Sequence, residues 1–359
     1  MIFTILLVSL NKIKINDKIF GDNQSCYTIA EAGANHEGDI EKAFKLIDGA
    51  KEAKADSIKF QTYKAEKLCT RNAPKYWDDG VQNETQFDVF SKLDSLSESE
   101  WKEIFEYSLK KNITCFSTPF DEESVDFLYS LNVPAFKIAS ADITHIPLIK
   151  SVARKHLPIF ISTGMASDDE IKDAVNSIED EGNQEIIIMH CITSYPTDPK
   201  DANLQMIKKL KTNFPNYVIG YSDHTIGIVI PTFSTFYGAK VIEKHFTYDK
   251  NLSTSRDHRL SLDINEFSNL VNNLRLSEIT IGNGENLLNC EEEAVKYARR
   301  SIVSTQKIAK GMIITKNMLD IKRPGLGIYP KFLDQVIGSI AKNDILEDLP
   351  IQFNDIIQK

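Results

Sequence analysis

The sequence has no paired cysteine motif. Its five cysteines, at 26, 69, 115, 191 and 290, are scattered, and no two have Cys-x-x-Cys spacing. A cysteine zinc site or dithiol redox centre needs that spacing, so neither is expected. Cys115 and Cys191 sit inside apolar runs, where a free thiol behaves as a small hydrophobe. Thiols used this way suit a reducing compartment, and a cytoplasmic location is expected. Positive charge is scarce: 42 lysines and arginines face 51 aspartates and glutamates, a net charge of −9. This balance argues against nucleic-acid binding. An anionic substrate would have to be held by local lysines and arginines against the overall field. Long apolar runs are also missing. The apolar start, Met1–Leu10, is too short to span a bilayer and lacks a basic leader and a small-residue cleavage site. It reads as a strand or a ragged start, and no membrane partner is expected. Ile13–Phe20 alternates around Asn16-Asp17, the pattern of a hairpin.

What the chain has is repetition of one unit. Eight short, nearly continuous apolar runs read as strands: Tyr27–Gly33, Ser57–Tyr63, Thr114–Phe120, Ala135–Ser140, Pro158–Gly164, Ile186–Thr193, Val218–His224 and Lys240–Phe246. Helical periodicity separates them. Ile40–Lys54 has apolar residues at 40, 43, 44, 47 and 50, one face of a helix. Ser99 is the expected cap of a helix over Glu100–Lys111, and Ser167 the cap of one over Asp168–Glu181, whose first turn is acidic as the helix dipole favours. Apolar strands alternating with helices imply a parallel sheet covered on both faces. Eight such units imply an α/β protein built on a (β/α)8 TIM barrel, at residues 1–282 with the hairpin. The segment after the second strand, about 64–98, carries Tyr76, Trp77 and Phe87 and reads as a long binding loop or lid.

The pattern changes near residue 282. Residues 283–299 read as a charged linker. Residues 300–359 read as a small β-rich domain, with strand-like pieces at Ser301–Ser304, Met312–Thr315 and Asp320–Arg323.

The strand ends carry the chemistry, and two of them end in histidine. His224, in Gly-Tyr-Ser-Asp-His, and His245, in Glu-Lys-His-Phe, close consecutive strands. In a barrel that sets two nitrogen ligands side by side at the rim where active sites lie. The other ends offer Glu31; Lys59 and Gln61; Thr118; Lys137, Ser140 and Asp142; Ser162; His190 and Tyr195; Ser222; and Glu243-Lys244. Converging lysines and hydroxyls suit a phosphate or carboxylate. Two histidines with carboxylates nearby suit a divalent metal such as Mn²⁺. Glu31 or Asp142 would move protons. Each residue alone has a plainer account: a strand-end lysine is often a solubiliser, and a lone histidine is often a hydrogen-bonded core residue. By the period of two, one of Glu243 and Lys244 faces the outer helices and is structural. The functional case rests on joint occurrence, which packing does not explain.

These residues resemble the sialic acid synthase family, which includes the N-acetylneuraminate, legionaminate and pseudaminate synthases. The resemblance runs through Ala30-Glu31-Ala32-Gly33-Ala34-Asn35-His36-Glu37-Gly38-Asp39, Ile58-Lys59-Phe60-Gln61, Ser117-Thr118-Pro119-Phe120-Asp121, Lys137-Ile138-Ala139-Ser140, Ser162-Thr163-Gly164-Met165, Tyr195-Pro196, Gly220-Tyr221-Ser222-Asp223-His224-Thr225 and Ile242-Glu243-Lys244-His245-Phe246-Thr247. Arg299-Arg300-Ser301-Ile302-Val303 and Lys322-Arg323-Pro324-Gly325 resemble the antifreeze-like SAF domain of the same family.

The resemblance implies condensation of phosphoenolpyruvate with an N-acylated mannosamine-type amino sugar, giving a nine-carbon 2-keto acid and phosphate. It implies phosphoenolpyruvate contacts at Lys59, Thr118, Lys137, Ser140, Ser162 and Ser222. It puts Gln61, Tyr195, Asp257 and Arg323 at the sugar, and Glu31 and Asp142 in catalysis. His224 and His245 would hold Mn²⁺, with Mg²⁺ or Co²⁺ as alternatives. It further implies a domain-swapped homodimer in which Arg323 reaches the partner's sugar. Two motifs depart from the family pattern. Ser140-Ala141-Asp142 stands where Ser-Gly-Glu is usual, and Ser255-Arg256-Asp257-His258 where Gly-Pro-Asp-His is usual. Three alternatives stay open: a synthase for a related acceptor, such as a 2,4-diacetamido-trideoxyhexose or a phosphorylated mannosamine; a Schiff-base pyruvate aldolase using Lys59, Lys137 or Lys244; and a non-catalytic sugar-binding protein.

Overall fold

The computed structural model describes residues 11–77, 81, 83–252, 254–282 and 284–358. Met1–Leu10, read above as a strand or ragged start, lies outside them. The chain divides into two compact units, Met1–Ile281 and Gly282–Lys359.

In the first unit, eight parallel strands close into a barrel. They are Tyr27–Gly33, Ser57–Thr62, Thr114–Pro119, Phe136–Ile138, Ile159–Ser162, Ile186–Cys191, Val218–Asp223 and Val241–His245. The last strand pairs back onto the first, with His245 beside Glu31. All eight coincide with the apolar runs of the sequence. The hairpin is present as Lys12–Ile15 and Lys18–Gly21, with Asn16 in the left-handed turn region at φ 50°. Its Phe20 stacks on Tyr27 at 4.5 Å between ring centres. Tyr27 and Phe116 each stack on Phe160, at 6.4 and 5.3 Å. These aromatics fill the barrel near the N-terminal ends of its strands, and the C-terminal ends open onto a cavity.

Helix starts follow local capping chemistry. Helix Asp168–Asp180 is capped by Ser167, whose hydroxyl accepts from the Glu170 amide while the Glu170 carboxylate accepts from the Ser167 amide. The helix expected from Glu100 starts two residues earlier, as Glu98–Lys110. Its cap is Ser97, not Ser99, because Glu100 lies three residues after Ser97 and completes the reciprocal pair. The segment 64–98 is not one open loop: it contains the short helices Ala65–Leu68 and Gln86–Leu93. Among the described residues, no helix is long and apolar enough to cross a membrane.

The second unit has its own core of Ile302, Ile308, Ile314, Ile328, Val336 and Ile351, with lesser members. Ser301–Ser304 pairs antiparallel with Leu319–Lys322. The expected strand Met312–Thr315 reduces to a single bridge, Ile313 to Ile340. Two further short strands pair, Ile340–Ala341 and Ile356–Ile357.

One glycine tests the barrel packing. Gly220 lies in the seventh strand between Met189 and Val241, and a Cβ there would lie 2.3 Å from Met189 Sδ and 2.9 Å from the Val241 carbonyl oxygen. The carbonyl cannot yield as a flexible side chain can. Gly220→Ala is expected to destabilise the barrel by about 1–3 kcal/mol. Urea unfolding of the full chain measures it, and an unchanged midpoint would show that the barrel has slack at this layer.

Candidate functional site

Alternation along each strand decides which side chains enter the barrel. Glu31, Lys59, Thr118, Lys137, Ser162, Ser222, Glu243 and His245 point inward near the C-terminal strand ends, and all are buried. Lys59 Nζ lies 2.6 Å from Glu31 Oε2 and donates to Thr118 Oγ1 at 2.9 Å. Its distance to Glu243 Oε2 is 3.9 Å. Lys137 Nζ donates to Ser162 Oγ at 2.6 Å and stands 3.8 Å from Glu243 Oε1. Ser222 donates to the same Glu243 oxygen at 2.9 Å. Acid and base therefore alternate along a row: Glu31, Lys59, Glu243, Lys137. Charges this deep persist only when paired and hydrogen-bonded.

Burial and pairing pull the row's proton affinities apart. Burial raises the Glu31 carboxyl to about 7, against the pull of Lys59 and with help from Glu243. Burial would raise Glu243 too, but Lys137, Lys59 and the Ser222 donor override it and hold that carboxyl at about 2. Burial lowers Lys137. Asp142, on the short turn Ser140–Asp142, is raised to about 6, chiefly by burial. Its Oδ2 is buried with no hydrogen-bond partner.

The two histidines line the same cavity, with ring centres 5.3 Å apart. His224 Nδ1 is hydrogen-bonded to the Ile192 carbonyl oxygen at 2.8 Å, which makes it the donor nitrogen. Against its burial, Cys191 and that carbonyl raise the proton affinity of the ring, so Nε2 offers a lone pair once the ring gives up its second proton. Burial lowers His245 to about 3, so it is neutral, and its buried Nδ1 has no hydrogen-bond partner. Asp257 Oδ2 is 3.8 Å from that nitrogen. A neutral imidazole with an unused lone pair is what a divalent ion requires. Among the described residues, no group of three or more histidine, cysteine, aspartate or glutamate side chains is arranged to hold a metal.

A cavity of about 790 Å³ gathers Glu31, Lys59, Gln61, Thr118, Lys137, Ser140, Asp142, Ser162, Tyr195, Ser222, His224, His245 and Asp257. The barrel residues that the resemblance assigns to substrates, catalysis and metal thus line one cavity, whereas the strand-end candidates His190 and Lys244 do not. Gln61 donates to Glu31 Oε1 at 3.0 Å. Ser140 Oγ accepts from the Gly164 amide at 3.0 Å, and a Cβ on Gly164 would meet Thr193 Oγ1 at 2.4 Å, so glycine is needed for this close approach. Arg323 belongs to the second unit, just after the strand Leu319–Lys322. His190 does not join the cavity: its ring stacks on Tyr221 at 5.4 Å, and its Nε2 is hydrogen-bonded to the Ala202 carbonyl.

Glu243 is the residue whose place the sequence left open. It is inward, whereas Lys244 is fully buried on the outer face, paired with Asp223 at 2.6 Å and bonded to the Thr225 carbonyl. The signal was present. Glu243 is two residues before His245 and so shares its face.

The charge row makes a stability prediction. Lys59→Met leaves Glu31 and Glu243 without their shared cation. Removing one partner of a buried ion pair costs about 3–5 kcal/mol, and that loss is expected at pH 8. Glu31 binds its proton more tightly folded than unfolded, since about 7 lies above the ordinary glutamate value of about 4.3. A raised carboxyl favours the fold at low pH and loses that contribution as pH rises through the folded value. The penalty is therefore expected to shrink at pH 5.5. Urea midpoints of parent and variant at both pH values measure it, and a penalty independent of pH would contradict the assignment.

Residues 46–286 match the model of the NeuB family, and residues 299–357 match that of the SAF domain. An uncharacterized protein of Methanocaldococcus jannaschii is 44% identical, over 97% of this chain and 99% of that one. An N,N'-diacetyllegionaminic acid synthase of Legionella pneumophila is 39% identical, over 91% and 93% of the two chains. The crystal structure of an N-acetylneuraminic acid synthetase from Leptospira borgpetersenii, in complex with citrate, superposes with a TM-score of 0.71 at 35% identity, covering 80% of this chain and 95% of that one. With a closed barrel, a SAF domain and these relatives, the chain belongs to the NeuB family of sialic-acid-type synthases.

Proposed function

We propose that the cavity joins phosphoenolpyruvate to an N-acylated mannosamine-type sugar, releasing phosphate and a nine-carbon 2-keto acid. One observation carries the reading. Two buried lysine amines ringed by hydroxyls share a chamber with two neighbouring imidazoles, one of them neutral with an orphaned nitrogen. The first set suits a phosphate and a carboxylate on one small molecule. The second suits a metal that meets a sugar aldehyde. Two acyl amides on the acceptor, as in a 2,4-diacetamido-trideoxyhexose, are favoured by the similarity to a synthase named for N,N'-diacetyllegionaminic acid.

Lys59 and Lys137, with Thr118, Ser140, Ser162 and Ser222, would hold the phosphoenolpyruvate. Its dianionic phosphate adds negative charge beside Glu31, and a carboxyl already near 7 takes up a proton in response. That frees Lys59 to face the substrate. Gln61, Tyr195 and Asp257 would align the sugar. His224 and His245 would hold Mn²⁺, or Mg²⁺ or Co²⁺. When bound, the ion would polarise the aldehyde as a Lewis acid. C3 of phosphoenolpyruvate then bonds to the aldehyde carbon, and the aldehyde π pair moves to its oxygen, which takes a proton from Asp142 to become a hydroxyl. Water adds at C2, and its proton passes to a carboxylate. The tetrahedral carbon loses phosphate by C–O cleavage, its hydroxyl proton passing to the departing phosphate, and becomes the keto group. Asp142, held near 6, can both accept and return protons at neutral pH.

The buried Lys137 favours a second reading. Desolvated lysines also form Schiff bases. Lys244 does not fit that role, because its ammonium is spent on Asp223 and Thr225. Phosphate release is the deciding assay, with phosphoenolpyruvate, Mn²⁺ and a panel of acylated mannosamines, their 6-phosphates and diacetamido sugars. Phosphate and keto acid are expected to appear together with at least one acceptor. No phosphate from any of them, or a borohydride-trapped pyruvate adduct on Lys137, would overturn the proposal. Metal analysis makes an independent prediction: purified His245→Ala is expected to bind far less Mn²⁺ than the parent while keeping its thermal midpoint. Equal binding would remove the histidines from the metal site.

A further inference from the structure

Arg256 has no task in the chemistry above, yet it is elaborately held. It opens the short turn Arg256–Arg259 on the cavity wall. Its guanidinium carbon lies 3.8 Å from the centre of the Trp77 ring and 5.3 Å from that of Tyr195. Its Nε is 3.5 Å from Asp257 Oδ1. The side chain is only 19% exposed, and Nη1 is buried with no hydrogen-bond partner. A buried charged donor left unsatisfied is costly. The turn is fixed from both sides. Ser255 Oγ donates to Asn35 Oδ1 at 2.8 Å, and the Ser255 amide donates to Glu37 Oε1 at 3.1 Å. The His258 ring bonds Thr247 Oγ1 at 2.8 Å and Glu37 Oε1 at 3.2 Å. Nη1 therefore cannot swing out to water without breaking either the aromatic stack or this anchor.

We propose that Arg256 selects the acceptor sugar, by donating from Nη1 to the carbonyl oxygen of an acyl-amide substituent remote from the aldehyde. The inference rests on the condensation reading and adds a specificity residue to it. Three features favour an amide over a phosphate. Asp257 already balances the guanidinium, so the pair offers a directed donor with no net positive charge. A neutral carbonyl accepts from such a donor, whereas a phosphate dianion would meet the Asp257 carboxylate as well. Tyr76, which lines the same cavity and is exposed, offers an apolar ring to the methyl of an acetamido group. Stacking also holds the guanidinium plane in a fixed orientation, so the donor is aimed before the ligand arrives.

The test compares two acceptors on the full-length protein with phosphoenolpyruvate and Mn²⁺. One is the 2,4-diacetamido-trideoxyhexose, the other its analogue with hydroxyl in place of the 4-acetamido group. The parent is expected to prefer the diacetamido sugar in kcat/KM. Arg256→Met, which keeps an apolar chain over Trp77 but has no donor, is expected to reduce that preference about 10- to 100-fold, the worth of one charge-assisted hydrogen bond. Arg256→Lys is expected to recover only part of it, and gives the same readout should the methionine variant fold poorly. Equal losses on both acceptors, in variants with the parent's thermal midpoint, would mean that Arg256 merely props the turn. A parent preference for N-acetylmannosamine 6-phosphate that falls in Arg256→Met would mean that it reads phosphate. Either result overturns the assignment while leaving the condensation intact. Absence of turnover by the parent on every acceptor would instead remove the condensation reading beneath it.

Discussion

The site depends on one constraint: four ionisable groups are buried in a row at the mouth of a closed barrel. Glu31, Lys59, Glu243 and Lys137 are each almost wholly removed from water. None could remain charged there alone. They tolerate burial because acid alternates with base and because Thr118, Ser162 and Ser222 supply the remaining hydrogen bonds. The row is balanced while empty, so an arriving anion must be answered by a proton or a cation. A carboxyl raised to about 7 at one end can supply that answer at neutral pH.

The barrel makes the row possible by separating two chemistries on each strand. Inward from the eighth strand come Glu243 and His245. Outward between them comes Lys244, tied to Asp223 of the seventh strand. Asp223 also accepts from the Tyr221 hydroxyl and from Thr225. This outer clasp joins the two strands that carry the histidines. A buried ion pair of this kind is a weak source of stability but fixes register well. Register matters here, because a slip of one residue would exchange Glu243 and His245 for Lys244. The aromatic stack of Phe20, Tyr27, Phe116 and Phe160 serves the opposite end. By filling the barrel there, it leaves the C-terminal rim as the place where ligands enter.

Much of this was legible in the sequence because strand and helix periods are local. Each barrel strand is an apolar run bounded by polar residues, and the histidines that end two of them fix which rim is chemical. Parity along a strand is local too, and it places Glu243 with His245 once His245 is taken as inward. Other features needed the folded chain. Ser97 and Ser99 both look like caps, and only the three-residue step to Glu100 separates them. His190 lies near the end of its strand much as His224 does, yet one residue of parity sends it to the outer layer against Tyr221. The Arg256 clamp was out of reach altogether, because Trp77 and Tyr195 come from segments distant in the chain. Sequence shows that an unusual arginine is present. Its aromatic stack and orphaned nitrogen exist only in three dimensions.

The proposed reaction has a signature that no Schiff-base aldolase or sugar-binding protein shares. Phosphoenolpyruvate carrying ¹⁸O in the bridging C–O–P position would be supplied with acceptor, and the released phosphate analysed by mass spectrometry. Addition of water at C2 followed by C–O cleavage sends the label into phosphate, and the keto oxygen comes from solvent. Full retention of ¹⁸O in the phosphate is the predicted result. Unlabelled phosphate, with the label left in the keto acid, would mean P–O cleavage and would contradict the chemistry assigned to the Lys59 and Lys137 pocket.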